Sequence, residues 1–167
     1  MLVTECHVAE AHGHAARNDA RSCSKALTSA EHAFVAGVGS CNAPEWLSYF
    51  DEAYLSARIA QCFRDLGDGS QTVRYAQRSL DMNGDFVRGR AFNLALLGTG
   101  LPQQREIDHA TSVGIKAAGI AMSLQSQRSV RYVVNLQKKL AAVAPPQVIQ
   151  EFTHQTRILV RERTAKQ

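Results

Sequence analysis

The sequence predicts an all-α fold, an array of antiparallel helical hairpins with about eight helices. Three observations carry this. Apolar residues recur at spacings of three and four, as in Leu55, Ile59, Phe63 and Leu66, the stripe of an amphipathic helix. Prolines number only four and β-branched runs are short, while Ala, Leu, Arg and Gln, all good helix formers, are plentiful. Small residues also return at fixed offsets from three turn signals, Asn18-Asp19, Gly67-Asp68 and Arg105-Glu106, which is the mark of a repeated unit.

The hairpins are expected at about 2–37, 44–83, 85–124 and 127–160, with 161–167 a frayed tail. The first turns at Asn18-Asp19 and is followed by VGSCNA (38–43), a connection of small and polar residues. The second is the clearest. Pro44 suits a first helical turn, where its missing N–H costs nothing, and Glu45 complements the helix dipole. Gly67 follows the Leu55–Leu66 stripe where a left-handed residue is wanted. Asp68 then caps the next helix, and Gln71 three residues on resembles a capping box. Val73, Tyr75, Ala76, Leu80 and Met82 mark that helix, and Asn83-Gly84 ends it. In the third hairpin Arg105 replaces the turn glycine. Pro102 just before it kinks or ends the helix, so this turn reads either as simple divergence or as a hinge. After Leu124-Gln125-Ser126, Val130, Val133, Leu136 and Leu140 mark a seventh helix. Ala144-Pro145-Pro146 breaks the chain, and Val148, Ile149, Phe152, Thr156 and Leu159 mark an eighth with a polar outer side, as suits the cap of a stacked array.

The repeat lies in the offsets. Ala11, Ala60 and Gly98 stand seven residues before the turn, Cys23, Thr72 and Ala110 five after it, and Ala30, Ser79 and Ala117 twelve after it. Leu27, Ala76 and Gly114 stand nine after. Such positions are expected where paired helices approach most closely. His14, Phe63 and Leu101, four before the turn, supply a bulkier knob.

These small-residue positions, with a Gly-Asp type turn between them, resemble the tetratricopeptide repeat, best over 53–84, well over 91–118 and more weakly over 4–31. The resemblance implies a right-handed superhelical array that binds proteins or peptides. A narrower likeness lies in WLSYFDEAYLSARIAQCFRDLGD and YAQRSLDMNGDFVRGRAFNLALL. Over roughly Ser24 to Leu159 the chain is similar to the C-terminal repeat regions of actinobacterial transcriptional regulators of the XRE helix-turn-helix type. It lacks residues that would form their DNA-binding domain, so no direct nucleic-acid binding is carried over. What the likeness implies is a signalling role, as a sensing or protein-interaction region.

Composition agrees with a packed domain, and the absence of catalytic motifs makes a non-enzymatic one the expectation. In 167 residues, 45% are hydrophobic and the net charge is +4, with basic residues dispersed rather than clustered. No apolar run reaches the roughly 18 residues of a membrane span. The opening MLVTECHVAEAHGHAARND lacks the basic start and unbroken apolar core of a signal peptide, so a cytoplasmic location is expected. Cys6, Cys23, Cys41 and Cys62 show no CxxC pairing and read as free, mostly buried thiols. Cys6, His7, His12 and His14 lack the spacing of helical zinc ligands. Asp51 and Glu52, adjacent on a helix, diverge. No GxSxG, phosphate-binding glycine loop or HExxH occurs, and no metal or cofactor is implied.

The expected binding surface is the inner side of the array, lined by the first helix of each hairpin. The resemblance implies that the residues thirteen, ten, six and three before each turn point inward, and this spacing keeps them on one helical face. They are Glu5, Val8, His12 and Ala15; Tyr54, Ala57, Gln61 and Arg64; and Phe92, Ala95, Thr99 and Pro102, with Gln103 beside the last. This groove is aromatic, small and mildly polar. Arg64 is its main fixed charge, without the several lysines or arginines that would clamp a carboxylate. It suits a protein or peptide ligand held by apolar anchors. Trp46, Tyr49, Phe50 and Tyr54 read either as core or as a hydrophobic lip. Arg88 and Arg90 read as a solvated face or an acidic-ligand contact, and Lys138-Lys139 as an ordinary solvated end. The alternative role is a stand-alone adaptor that self-associates as a homo-oligomer through an apolar edge at Met1 to Cys6.

Overall fold

The computed structural model describes residues 1–37, 49–124 and 127–164, with side chains through residue 157. Among these the chain is all-helical and carries eight α-helices: α1 (Leu2–Ala16), α2 (Ala20–Gly37), α3 (Glu52–Asp65), α4 (Gly69–Arg78), α5 (Val87–Gly100), α6 (Ile107–Ser123), α7 (Gln127–Ala141) and α8 (Pro146–Thr164). A short 3-10 helix, Leu101–Gln104, follows α5. Consecutive helices pair as α1/α2, α3/α4, α5/α6 and α7/α8. Each pair meets the next, α1 on α3, α3 and α4 on α5, and α5 and α6 on α7.

The three turn signals fold alike. Asn18, Gly67 and Arg105 have φ of 58°, 76° and 64°, the left-handed region. In each, the next N–H reaches back to a carbonyl five residues earlier: Asp19 to His14 at 3.0 Å, Asp68 to Phe63 at 2.9 Å and Glu106 to Leu101 at 3.2 Å. The left-handed residue's own N–H bonds to Ala15, Arg64 and Pro102 respectively, completing the closure that satisfies orphan carbonyls at a helix end. Asp19 then accepts from the Ser22 N–H at 3.0 Å and Asp68 from that of Gln71 at 2.9 Å, each capping the following helix. Glu106 makes no such bond and pairs with His109 instead. The capping box at Asp68 is one-sided, because the Asp68 N–H is already committed to Phe63.

The small-residue offsets are the sites of closest approach. Ala11, Ala60, Cys23, Ala110, Ala76, Ala30, Ser79 and Ala117 are all fully buried. A Cβ placed on Gly98 would stand 2.8 Å from a Leu136 methyl. The core has two parts, one where α1 and α2 meet α3 and one running from α3 and α4 through α8. Tyr75 packs against both and stacks on Phe63 at 5.6 Å.

Three boundaries differ from expectation. The second hairpin's first helix begins at Glu52, because the Asp51 carboxylate takes the Tyr54 N–H at 2.7 Å and acts as N-cap; Pro44, Glu45 and the 38–43 connection lie outside the described residues. Helix α4 stops at Arg78, four residues before Met82, because Leu80 and Asp81 bond back to Gln77 and Arg78 in tighter turns and Asn93 of α5 donates to the Ser79 carbonyl. The last helix continues to Thr164 instead of stopping at 160; residues 165–167 lie outside the described residues. Pro102 does end α5, turning the chain into the 3-10 helix.

Arg105 occupies a left-handed position with a side chain, which costs roughly 1 kcal/mol against glycine. The Arg105→Gly variant should therefore be more stable by about 0.5–1 kcal/mol. That corresponds to a melting temperature higher by ~2 °C, readable by calorimetry; an unchanged or lower value would mean that the guanidinium contributes something the turn geometry does not reveal.

Candidate binding groove

The first helices of the hairpins meet in sequence, α1 on α3, α3 on α5 and α5 on α7. Two cavities open between them. The one between α3 and α5 has a volume near 630 Å³ and is lined by Tyr49, Tyr54, Ala57, Arg58, Gln61, Met82, Phe86, Arg88 and Phe92, among others. The one between α5 and α7 is near 380 Å³, with Arg64, Phe92, Ala95, Thr99, Tyr132, Asn135, Lys138 and Lys139 in its walls. Phe92 lines both.

Of the groove positions expected from the repeat, Tyr54, Ala57 and Gln61 lie in the first cavity, Arg64, Ala95 and Thr99 in the second, and Phe92 in the two together, whereas Glu5, Val8, His12 and Ala15 of the first hairpin line neither, Val8 and Ala15 being buried in the core. Gln103 lies elsewhere. Its side-chain oxygen accepts from the Gly69 N–H at 2.7 Å, so it caps α4 from the 3-10 helix. Pro102 is buried beneath that same turn. The first-helix face rotates away once the backbone tightens to three residues per turn, so offsets counted to the turn fail for its last residues.

Each wall has a local cause. Asp51 caps α3 and starts it so that Tyr54, Ala57 and Gln61 fall on the inner face. The aromatic run divides its duties. Phe50 is buried against Phe34 and Tyr54, with centroids 6.1 and 5.0 Å away, and belongs to the core. Tyr49 is 40% exposed and meets Tyr54 edge-on at 5.2 Å, forming the lip. Trp46 lies outside the described residues. Across the cavity Phe86 and Val87, just before and at the start of α5, are 49% and 42% exposed. On α5, Asn93 is fixed by the Ser79 carbonyl at 2.8 Å, which sets the helix's rotation and with it Phe92.

The charge of the groove differs from expectation. Lys138 and Lys139 of α7 line the α5–α7 cavity with Arg64, and Arg58 and Arg88 line the other. The groove therefore has several cationic groups where the sequence suggested one. Sequence reasoning missed α7 because its hairpin closes at Ala144-Pro145-Pro146 without a left-handed turn residue, so no offset could be counted back from it.

Next to the cavities, α1 and α3 enclose a polar cluster. His12 is held down to about 4 by burial, then by the Arg58 charge, so its imidazole is neutral at pH 7. Burial, then the nearby Glu5 carboxylate, raises the Tyr54 hydroxyl above its usual range. Glu5 Oε2, His12 Nε2 and Arg58 Nε are buried without hydrogen-bond partners in the protein.

Among the described residues no group of three or more His, Cys, Asp or Glu side chains is arranged to hold a metal ion. His7 and His14 flank Glu10 at 3.4 and 3.8 Å instead. Cys6 is an exposed free thiol and Cys23 and Cys62 are buried ones; Cys41 lies outside the described residues. Burial, then contact with Cys23, pushes the Cys62 thiol up to about 12, which leaves it unreactive near neutral pH. No helix among the described residues is long and apolar enough to cross a membrane.

Neither a protein-family model, nor a characterised protein, nor a solved structure matches the chain.

Proposed function

We propose that this chain is a non-enzymatic, peptide- or protein-binding helical-repeat domain of tetratricopeptide type. In its cellular setting it serves as the sensing or interaction region of a transcriptional regulator. The supporting observation is the pair of cavities on the first-helix face, sharing Phe92 and lined by seven of the twelve residues that the repeat offsets assign to a groove, all of them from the second and third hairpins. Volumes of 380 and 630 Å³ lie within the range of about 300–1,000 Å³ that ligand pockets span. Tyr49, Tyr54, Phe86 and Phe92 offer large rigid faces for apolar side chains, and Gln61 and Asn135 offer amides for main-chain hydrogen bonds.

The test is selection of binders from a displayed library of random dodecapeptides on the immobilised domain. Phe86 is 49% exposed, so Phe86→Asp should leave stability unchanged while removing an apolar wall. Binders selected by the unmodified domain should lose about tenfold or more in affinity for the variant. Equal binding to both would remove the groove from the proposal.

A second reading, a self-associating adaptor, is favoured by one feature. Leu2 and Val3 of α1 are 57% and 61% exposed, an apolar edge of the kind that protein contacts cover. Sedimentation velocity separates the readings, since a monomer at every concentration is incompatible with self-association. An in-frame helix-turn-helix coding segment upstream of residue 1 would select the regulator over the adaptor.

A further inference from the structure

The two cavities differ in charge. In the α3–α5 cavity Arg58 and Arg88 face Asp51 and Asp85, so the cations and carboxylates balance. In the α5–α7 cavity Arg64, Lys138 and Lys139 face a single carboxylate, Asp65. Asp65 is already engaged by Arg64 at 2.7 Å. Neither Lys138 nor Lys139 has an ion-pair partner among the described residues. Donors thus exceed acceptors at this end of the groove, which suits a group that only accepts, such as a carboxylate.

We infer that the occupant of the groove is an acidic-apolar peptide segment bound in one direction, resting on the peptide-binding reading above. Its apolar side chains fill the α3–α5 cavity, and an Asp or Glu side chain lies over Arg64, Lys138 and Lys139. A small free anion fits less well. Both lysines are exposed, and exposed ion pairs contribute only about 0.2–1 kcal/mol each, so charge alone gives little binding. Phe92 joins the two cavities, so one ligand can supply apolar burial on one side and charge on the other.

The experiment uses the same random dodecapeptide library. Sequences selected on the unmodified domain should be enriched in Asp and Glu as well as in Phe, Tyr, Trp and Leu. A labelled member should bind about tenfold more weakly when its acid is changed to Gln, and should weaken as salt rises. The Lys138→Glu/Lys139→Glu double variant, altered only at exposed positions, should keep its melting temperature and reverse the preference toward Lys and Arg. Selected binders with no excess of acids, or equal affinity of the acid and Gln peptides, would overturn this inference while leaving the groove reading intact. Failure of every selected peptide to distinguish the unmodified domain from Phe86→Asp would overturn the groove reading itself. Binding of inorganic phosphate or citrate as tight as the peptide's would make the site one for small anions and overturn the inference.

Discussion

Replacing Phe152 by Ala is expected to destabilise the domain by about 3–5 kcal/mol, a large share of the roughly 5–15 kcal/mol available to a domain of this size. Phe152, from helix α8, is the largest fully buried side chain among the described residues. Its ring reaches the α6 residue Gly114, beside the fully buried Leu136 of α7. Truncation removes the transfer energy of the ring and leaves a void that three packed helices cannot collapse around without shifting. Urea unfolding followed by circular dichroism measures the loss. Phe152→Leu should retain most of the stability, because it keeps most of the volume. A loss under about 1 kcal/mol for Phe152→Ala would mean that α8 adds little to the folded core, and the stack would then end at α7.

The second large effect is expected at Gly114, and there the sign is the informative part. Alanine is favoured over glycine inside a helix by about 0.5–1 kcal/mol. A Cβ at Gly114, however, would stand 2.7 Å from both the Leu136 Cδ2 and the Phe152 Cε2 atoms. Both partners are fully buried and have no room to retreat. Overpacking costs about 1–3 kcal/mol, so Gly114→Ala should be a net loss of ~1–2 kcal/mol. Gly13 of α1 gives the contrast, because nothing lies within 4 Å of a Cβ built there. Gly13→Ala should therefore stabilise by about 0.5 kcal/mol. A double-mutant cycle locates the clash. A Leu136→Ala background removes one of the two clashes and leaves the Phe152 ring room to shift into the vacated space, so the two changes should couple by about 1 kcal/mol. Additive losses would place the strain of Gly114→Ala somewhere other than Leu136.

Local chemistry explains how much of this fold could be read in advance. The turns at Asn18, Gly67 and Arg105 are short-range events, decided by which residue enters the left-handed region and which carboxylate follows it. All three adopt that conformation. The small residues at fixed offsets from those turns are likewise legible. A helix pair closed by the same turn brings the same positions into contact, and Ala11, Ala60 and Gly98 are buried accordingly. Where local signals compete, reading was less accurate. The sequence marks a helix start at Pro44, which lies outside the described residues, whereas α3 begins at Glu52 because the carboxylate of Asp51 caps it. Val73 to Met82 continues an apolar pattern past Arg78, but the pattern cannot register that Asn93 of a later helix takes the Ser79 carbonyl.

The candidate groove divides in the same way. Tyr54, Ala57, Gln61, Arg64, Phe92, Ala95 and Thr99 could be named because the resemblance to the tetratricopeptide repeat implies which offsets face inward, and 3.6 residues per turn keeps those offsets on one helical face. Gln103 could not be excluded, since its bond to Gly69 spans separate helices. The eight helices of the described residues, three of their turns and the close-packed faces were legible in the chain, because backbone dihedrals and side-chain size act within a few residues. The end of α4, the place of Gln103 and the charge of the groove depend on packing between helices. Lys138 and Lys139 are an ordinary exposed pair on their own helix, and they join Arg64 only because the small residues of α5 and α6, Gly98 and Gly114 among them, let Leu136 bring α7 in close. A charge's neighbours across a stack depend on how near and at what rotation helices settle, and no periodicity within one helix carries that information.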